Sequence, residues 1–480
     1  MRSAHVVVQI RAAEAALMAE LPEGALMQRA AAGLAVACAR WLPVVYGAHV
    51  VLLVGSGNNG ADALWAGARL ARRGAAVTAV LAGEPVADAL AAFRAAGGRV
   101  GDAADIDSAN LIVDGLVGIG GRGPLRGPAA SLAVEGGHVV AVDVPSGVDA
   151  DTGEVTGPAV RAALTVTFGT GKPGLYAGAG KWHSGTVELV DIGLGPYLPP
   201  PPVQLFDGYD VAAVLPAPQP GGDKYTTGVV GIAAGSGQYT GAAVLAAGAA
   251  VRAGAGMVRF AGVENAAQQV RARWPEAVVT TVAPGDGAAV VGVGRVQAWV
   301  VGPGLGTDRD AATVIEAVLG QDVPVLVDAD ALTVCAEHPD WLRGRRAPTL
   351  LTPHDREFER FGRPIGDDRI GAVRALADDL GVTVLLKGDA TIVAGADGPA
   401  FVNDTGSPVL ATAGTGDVLS GGCGSLLAQG LAPREAGAVG AHLHGLAGRL
   451  SAAGAATSAY RVLEAWPDAV RAVRAGTLVP

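Results

Sequence analysis

Short apolar runs that end in Gly, Asp, Asn or His recur along this chain of 480 residues, and they restrict the folds it can adopt. Continuous runs of about 4 to 8 Val, Leu and Ile residues are typical of parallel strands that are covered on both faces. Ala-rich stretches with helical spacing separate many of the runs. Because parallel strands are joined by helical crossovers, the pattern predicts an α/β protein with doubly wound sheets.

The predicted strands form two series. They cover residues 49–54, 111–113 and 139–142 in the first half, and 229–233, 298–301, 325–327, 350–351 and 385–386 in the second. A polyproline run at 198–202 and a Pro/Gly-rich stretch at 216–222 lie between the series and resemble a spacer. Since a chain of 480 residues exceeds one ordinary core, we predict two domains, residues 1–205 and residues 206–480.

Composition and charge exclude several classes of protein. A net charge of -10 without a basic stripe argues against nucleic-acid binding. No run of ~18 apolar residues is free of charge, Gly and Pro, so we expect no membrane segment. The three cysteines are far apart and odd in number, which favours neither a disulfide framework nor a zinc site. These features predict a cytoplasmic protein.

Three polar side chains near the predicted strand ends of the first half carry oxygen ligands: Asn59, Asp114 and Ser146. Oxygen donors without sulfur or imidazole suit an alkali or alkaline-earth ion. Taken singly, Asp114 and Asp143 fit helix caps or turn residues as well. At the carboxyl ends of neighbouring parallel strands, however, such residues are expected to line a ligand site.

In the second half, the small residues at 412–417 run directly into a helix-like segment. A tight turn of this kind brings backbone amides to the start of a helix, where phosphate binds well. A carboxylate at Asp417 is placed to take a proton from a hydroxyl that attacks the phosphate, which indicates phosphoryl transfer. The alternative is a Gly-rich loop whose Asp417 only caps the helix. His354 follows another predicted strand and is expected to face the same ligand.

The segments at 58–62, 114–124 and 143–149 resemble the YjeF N-terminal domain, the NAD(P)H-hydrate epimerase family, over about residues 10–195. The resemblance implies a Rossmann-like sheet and a potassium ion (K+) held by Asn59, Asp114 and Ser146. We expect Asp143 to take part in catalysis, and Ala61 stands where the family usually has Gly. The residues implied to contact the hydrated nicotinamide nucleotide are Asn58, Asn59, Gly60, Ala61, Asp62, Gly118, Ile119, Gly120, Gly121, Arg122, Gly123, Pro124 and Asp143.

The segments at 302–306, 352–358, 386–388 and 413–417 resemble the YjeF C-terminal domain, the ADP- or ATP-dependent NAD(P)H-hydrate dehydratase with a ribokinase-like fold, over about residues 210–475. The resemblance implies Asp417 as the catalytic base. The residues implied to contact the adenine nucleotide are Lys387, Gly388, Asp389, Ala390, Thr391 and Gly416. Those implied to contact the hydrate are Ala242, Gly304, His354 and Asp417.

Together the two resemblances imply a bifunctional repair enzyme for hydrated NADH and NADPH (NADHX and NADPHX). The first domain would interconvert the R and S epimers at C6 of the nicotinamide ring. The second would use ADP, with Mg2+, to dehydrate the S epimer, giving AMP and phosphate. We expect a homo-oligomer. Two alternatives stay open: a ribokinase-like kinase of a small molecule with a non-catalytic first domain, and a catalytically silent nucleotide-binding or partner-binding protein.

Overall fold

The computed structural model describes residues 1–217 and 220–477. Residues 218–219, within the predicted Pro/Gly-rich stretch, and residues 478–480, at the end of the predicted second domain, lie outside the described residues. The chain divides into two compact units. The first unit is Ser3–Val203, and the second combines Met1–Arg2 with the chain from Gln204 onward.

The chain up to Leu205 folds into alternating strands and helices. The strands are β1 (Arg2–Ala4), β2 (His49–Val54), β3 (Ala76–Leu81), β4 (Arg99–Gly101), β5 (Leu111–Gly115), β6 (Val139–Val142), β7 (Leu164–Phe168), β8 (Thr186–Val190) and β9 (Val203–Leu205). The α-helices are α1 (Val7–Met18), α2 (Ala25–Trp41), α3 (Asn58–Arg72), α4 (Ala87–Ala95), α5 (Pro128–Ser131) and α6 (Gly178–Ser184).

The first unit is built on a parallel sheet with the strand order β4-β3-β2-β5-β6-β7-β8. Alternate residues of β2 pack on opposite faces, with Leu52 in the core on one side and Leu53 in the core on the other. The strand order changes direction between β2 and β5. In a doubly wound sheet this switch point opens a crevice at the carboxyl ends of the strands.

The rest of the chain forms the larger sheet and its helices. The strands are β10 (Val229–Ala233), β11 (Met257–Gly262), β12 (Val278–Thr281), β13 (Ala298–Val301), β14 (Val325–Val327), β15 (Thr349–Leu351), β16 (Thr383–Leu386), β17 (Thr391–Ala394) and β18 (Ala400–Asn403). The α-helices are α7 (Gly208–Val214), α8 (Lys224–Thr227), α9 (Thr240–Arg252), α10 (Glu264–Arg273), α11 (Gly287–Val291), α12 (Arg309–Leu319), α13 (Asp330–Glu337), α14 (Asp340–Arg343), α15 (Asp355–Glu359), α16 (Arg369–Leu380), α17 (Thr415–Ala428), α18 (Pro433–Ala452) and α19 (Ala459–Ala475).

In this sheet the strands follow the order β9-β18-β17-β16-β15-β14-β13-β10-β11-β12. The pairs from β16 to β12 are parallel, whereas β16, β17 and β18 pair antiparallel. Helix α17 packs closely on α9 at Gly421. A Cβ at this position would lie only 2.1 Å from the carbonyl oxygen of Ala246. Helix α17 begins at the edge where β14 and β16 end, since Ser420 of α17 donates to Asp328 after β14, and Lys387 after β16 lies beside Gly416. Both sheets confirm the predicted α/β, doubly wound class.

Within the described residues, we find no helix with the length and apolar character needed to cross a membrane.

Candidate active sites

In the first unit, α3 begins immediately after the switch-point strand β2. Its first residue is Asn58, so residues 58–62 form the first helical turn. A Cβ on Gly60 would lie 2.2 Å from the carbonyl oxygen of Gly55, which shows how closely the turn approaches the strand end. Ala61 is fully buried in the hydrophobic core and does not line the cavity described next. The methyl group of Ala61, at the position where the family usually has Gly, therefore packs in the core.

A cavity of about 500 Å³ opens beside this turn. Of the predicted contact residues, it is lined by Asn58, Asn59, Asp62, Gly118, Ile119, Gly120, Gly121 and Asp143. Gly60, Ala61, Arg122, Gly123 and Pro124 are not part of its lining. Helices α1 and α2 add Arg11, Glu14, Met18, Leu26, Met27 and Ala30, none of which was predicted from the sequence.

Asp143 directly follows β6 and has a left-handed backbone conformation with φ 66°, which Asp tolerates better than most residues. Its Oδ1 accepts a hydrogen bond from Lys172 Nζ at 2.5 Å. The Thr167 hydroxyl and the Phe168 N–H also donate to Oδ1, each at 3.2 Å. Lys172 is only 1% exposed, so Asp143 and Lys172 form a buried ion pair at the edge of the cavity.

Asp62 faces the same cavity without such a partner. Its Oδ1 is buried and, among the described residues, accepts or donates no hydrogen bond. Burial raises the pKa of Asp62 well above its ordinary value, and the charges of Asp143 and Glu14 raise it further. The pKa of Glu14 is also raised, mainly by burial and then by Asp143. The cavity therefore holds one charge-paired carboxylate and one carboxyl group that favours its protonated form.

The predicted cation ligands meet around the segment that follows β5. The Ser146 hydroxyl donates to Asp114 Oδ1 at 2.6 Å, and the Ser146 N–H donates to Oδ2 at 2.8 Å. Asn59 is buried, its Nδ2 has no hydrogen-bond partner within the described chain, and its Oδ1 would lie 2.7 Å from a Cβ on Gly118. Burial raises the pKa of Asp114 to about 6 despite the hydrogen bonds from Ser146 and Leu116.

The chemistry of this cluster is compatible with a monovalent cation. No Lys or Arg of the described residues forms an ion pair with Asp114, so its buried charge has no compensating charge from the protein. The side-chain donors are hard oxygens, which alkali ions prefer. A cation at this position would supply the missing positive charge and favour ionised Asp114.

In the second unit, α17 begins after Gly414, whose φ of 88 lies in the left-handed region. The first N–H groups of a helix have no partner within it. The Thr415 N–H donates to the Thr412 carbonyl at 3.4 Å, which leaves the amides of Gly416 and Asp417 to bind phosphate. Asp417 lies in this first turn. Burial raises the pKa of Asp417 to about 7, and the charges of Asp328 and Asp330 raise it while Lys387 lowers it.

Lys387 connects several strand ends through a buried network of charges. Its Nζ donates to Asp328 Oδ1 at 2.8 Å and lies 3.5 Å from Glu357 Oε2. The Ser420 hydroxyl of α17 donates to the other oxygen of Asp328 at 2.5 Å. Burial alone would lower the pKa of Lys387, but Asp328 and Glu357 more than offset it, and its pKa is raised. Lys387 is therefore a stable cation next to the start of α17.

The other predicted residues of the second unit also lie along this edge. A Cβ on Gly416 would lie 3.6 Å from Lys387 Nζ. The Thr391 hydroxyl donates to the carbonyl of Gly388 at 3.1 Å, which closes the turn that contains Asp389 and Ala390. A Cβ on Gly304 would lie 3.0 Å from that of Ala242, so these two residues are neighbours.

His354 caps α15 instead of contacting Asp417 directly. Its Nδ1 accepts a hydrogen bond from the Glu357 N–H at 3.3 Å, and its side chain is 50% exposed. Its Nε2 lies 3.5 Å from Glu357 Oε1. His354 is thus joined through Glu357 to Lys387, with an exposed ring that a ligand can reach.

Several residues of the two sites were not predicted from the sequence. They are Glu14, Lys172, Asp328, Asp330, Glu357 and Ser420. For Asp328 and Asp330, the sequence signal was a pair of acidic residues directly after a predicted strand. Between them, Ala329 has the left-handed φ 51, a strained conformation that holds the two carboxylates at the strand end.

Comparison with known proteins covers both units. Residues 230–466 match the family described as NAD(P)H-hydrate dehydratase, and residues 23–174 match the family described as YjeF-related protein N-terminus. The bifunctional NAD(P)H-hydrate repair enzyme Nnr of Mycobacterium tuberculosis is 54% identical over 449 residues, which cover 91% of this chain and 92% of that protein.

Two solved structures resemble the second unit. A ribokinase-like superfamily protein from Enterococcus faecalis is 26% identical with a TM-score of 0.53, covering 56% of this chain and 96% of its own. An ADP/ATP-dependent NAD(P)H-hydrate dehydratase from Bacillus subtilis, co-crystallised with ATP and Mg2+, is 28% identical with a TM-score of 0.51, covering 56% of this chain and 97% of its own. The predicted ribokinase-like fold is confirmed, and the chain belongs to the family of bifunctional NAD(P)H-hydrate repair enzymes.

Proposed function

We propose that the second unit uses ADP to dehydrate the S epimers of NADHX and NADPHX, and that the first unit interconverts the R and S epimers. The placement of Asp417 carries the proposal. Its carboxyl group lies in the first turn of α17, beside the amides that favour phosphate, and its pKa is about 7. A carboxylate of this basicity accepts protons efficiently at neutral pH.

Dehydration would proceed in two stages. Asp417 takes the proton of the C6 hydroxyl while the hydroxyl oxygen attacks the terminal phosphorus of ADP, and the bond from that phosphorus to AMP breaks. Phosphate then leaves C6 with the C–O electron pair, and loss of a C5 proton forms the double bond of NADH or NADPH. Phosphorylation comes first because hydroxide is a poor leaving group.

The surrounding residues stabilise the transferring phosphoryl group. We assign the phosphate oxygens to the backbone amides at the start of α17, and Lys387 places a positive charge next to Gly416. We assign the adenine nucleotide to Lys387, Gly388, Asp389, Ala390, Thr391 and Gly416, and the hydrate to Ala242, Gly304, His354 and Asp417.

Mg2+ fits this site as a companion of the nucleotide. No group of three or more His, Cys, Asp or Glu residues in the described chain could hold a metal ion by itself. Mg2+ in nucleotide sites is usually held by phosphates and few protein ligands. When bound, it would neutralise charge on the phosphates.

In the first unit, we assign the hydrated nicotinamide to the cavity beside Asn58, Asn59, Asp62 and Asp143. We assign K+ to Asn59, Asp114 and Ser146, whose oxygens and uncompensated buried charge suit it. Epimerisation is assigned to residues 1–205 and dehydration to residues 206–480. A cytoplasmic location and a homo-oligomeric state stay predictions from the sequence.

The decisive experiment incubates a mixture of R and S NADPHX with ADP, ATP or no nucleotide in the presence of Mg2+ and K+. Absorbance of the reduced nicotinamide and release of phosphate and AMP are followed together. We expect the absorbance to recover fully with ADP, with one phosphate released for each NADPH. A stable phosphoester without absorbance recovery would instead indicate a small-molecule kinase. Binding without turnover would indicate a silent nucleotide-binding protein.

A further inference from the structure

Asp62 and Asp143 line one cavity in opposite electrostatic surroundings. Asp143 receives hydrogen bonds from Lys172, Thr167 and the Phe168 amide on one oxygen. Asp62 is 8% exposed, and its Oδ1 has no hydrogen-bond partner in the part of the chain that the structure describes. Two carboxyl groups whose surroundings separate their protonation states are suited to act as an acid and a base.

Lys172 forms its hydrogen bonds with Asp143 and neighbouring protein atoms rather than with a ligand. Its ammonium group donates to Asp143 Oδ1 at 2.5 Å, to Thr167 Oγ1 at 2.9 Å and to the Phe168 carbonyl at 3.0 Å. An ammonium group has three hydrogens, so all of its donors are used within the protein. Lys172 therefore fixes the Asp143 carboxylate at the cavity edge and supplies its counter-charge.

Other charged groups face Asp62 from α1, and they act in opposite directions: the charge of Glu14 raises the pKa of Asp62, whereas Arg11 lowers the pKa of Glu14. Glu14 and Arg11 of α1 line the same cavity. Burial, followed by the charges of Asp143 and Glu14, raises the pKa of Asp62 well above its ordinary value, which favours the protonated carboxyl group. The unpartnered Asp62 oxygen is available to a substrate group in the cavity.

We propose that, in the epimerisation assigned to this unit, Asp62 is the proton donor, Asp143 is the proton acceptor, and Lys172 positions Asp143. This inference rests on the proposed function of the first unit. It adds a proton donor and a positioning residue to the catalytic Asp143.

The chemistry of the hydrate requires one donor and one acceptor. C6 carries a hydroxyl group and is also bonded to the ring nitrogen N1. Asp143 takes the hydroxyl proton, the C–O bond becomes a carbonyl, and the C6–N1 bond breaks with its electron pair moving to N1. Asp62 gives its proton to N1. The ring is then open as an aldehyde, with no change in oxidation state and no water consumed.

Closing the ring reverses the configuration. Rotation about the C5–C6 bond presents the other face of the aldehyde to N1. N1 attacks this face and returns its proton to Asp62, while the carbonyl oxygen regains its proton from Asp143. Both side chains end in their starting protonation states, so one turnover prepares the next.

The test uses the full chain, pure R or S NADPHX, K+ and no nucleotide, with the epimers separated by chromatography. Asp62→Asn should lower kcat for interconversion by roughly 10²- to 10⁴-fold, with KM changed less than about threefold, because it keeps the size of the side chain but cannot donate its proton to N1 in the same way. Lys172→Met should lower kcat in the same sense, and Lys172→Arg should restore part of the loss. The matched controls Asp88→Asn in α4 and Lys181→Met in α6 should leave kcat unchanged.

The outcomes separate this inference from the proposed function. If the unmodified protein does not interconvert the epimers, the proposed function of the first unit is wrong. If it does, and Asp62→Asn retains kcat within about threefold while its thermal transition is intact, the inference is overturned. Obligatory uptake of one oxygen from labelled water in each epimerisation would show that the C6–O bond breaks, and would overturn the ring-opening step.

Discussion

Asp417 lies where a negative charge is costly, since burial raises its pKa and Asp328 and Asp330 raise it further. Lys387 offsets only part of this effect, leaving a pKa of about 7. Asp328 is itself held by Lys387 and the Ser420 hydroxyl, so the network that supports Lys387 also tunes Asp417. The pKa of Asp417 therefore depends on individual charged side chains, each of which can be replaced separately.

Replacing Asp417 by Asn tests its role as a base. Asn keeps the size and the hydrogen bonding but cannot accept the proton, so dehydration should slow by roughly 10²- to 10⁴-fold. Affinity for ADP, measured by calorimetry, should stay the same or rise, because a negative charge near the phosphates is removed. Asp378→Asn, on the exposed face of α16, is the control. Near-normal turnover in Asp417→Asn would leave Asp417 as a helix cap only.

The pH dependence of dehydration should report the same carboxylate. A base must be deprotonated to act, so kcat/KM should fall as the pH drops below about 7, the pKa of Asp417. The Lys387 charge lowers this pKa, so Lys387→Met should move the midpoint of the profile to higher pH. A rate profile that is flat from about pH 5 to 8 in the unmodified protein would contradict the assignment.

Asp114 tests the cation site of the first unit. Asp114→Asn removes the strongest charge available to K+, so the gain in epimerisation rate and thermal stability on adding K+ should disappear. The comparison is with tetramethylammonium at equal ionic strength, which the unmodified protein should distinguish from K+. Asp88→Asn, on the surface of α4, should keep the K+ response. The same response in Asp114→Asn and the unmodified protein would disprove the site.

At the scale of elements, the site of the first unit depends on a helix that approaches a strand end without intervening side chains. Gly55 directly follows β2, and Gly60 lies in the first turn of α3. A Cβ on Gly55 would lie 1.9 Å from the Leu116 carbonyl oxygen, and a Cβ on Gly60 would lie 2.2 Å from the Gly55 carbonyl oxygen. The close approach turns Asn58, Asn59 and Asp62 toward the cavity.

Gly60→Ala should disturb this packing. The added methyl group meets backbone rather than a flexible side chain, so the free energy of unfolding of the first unit should fall by about 1–3 kcal/mol. Gly57→Ala is the control in the same turn, because Gly57 has an ordinary φ of -99 and no atom within 4 Å of an added Cβ. Its effect should stay within about 0.5 kcal/mol. Equal transition temperatures for the two variants would argue against the close approach.

At the scale of the whole molecule, the chain contains two units, each with its own sheet and core. The predicted cut at residues 205 and 206 falls directly after β9 (Val203–Leu205), which lies next to β18 in the larger sheet. Leu205 is fully buried. The strand therefore contributes to the stability of the second unit.

Fragments test this organisation. Residues 1–202 should fold and retain epimerisation, and residues 203–480 should fold and retain dehydration. A shorter fragment, 206–480, lacks β9 and should unfold at a lower temperature than 203–480, as measured by calorimetry. Identical transitions for 203–480 and 206–480 would show that β9 is dispensable. Inactive but folded fragments would show that the sites depend on each other.

The amino-acid sequence by itself determined the local structure. The predicted strands at 49–54, 139–142, 229–233, 298–301 and 325–327 coincide with β2, β6, β10, β13 and β14. Buried parallel strands are continuous apolar runs, and their boundaries are marked by Gly and Asp, so these signals are local. Strands β7 and β8 were not predicted, because Thr and Glu residues interrupt their apolar runs, and the antiparallel strands β17 and β18 were not predicted either.

Only the tertiary structure decided which charged groups act together. Lys172 is distant from Asp143 in the sequence, and Lys387 is distant from Asp328, yet each pair forms a buried ion pair. A pKa depends on burial and on charges a few ångströms away, and neither can be read from neighbouring residues in the chain. The sequence indicated Asp417 and Asp143 by their positions after strands and loops. The basicity of Asp417 and the raised pKa of Asp62 were set by how the elements pack around them.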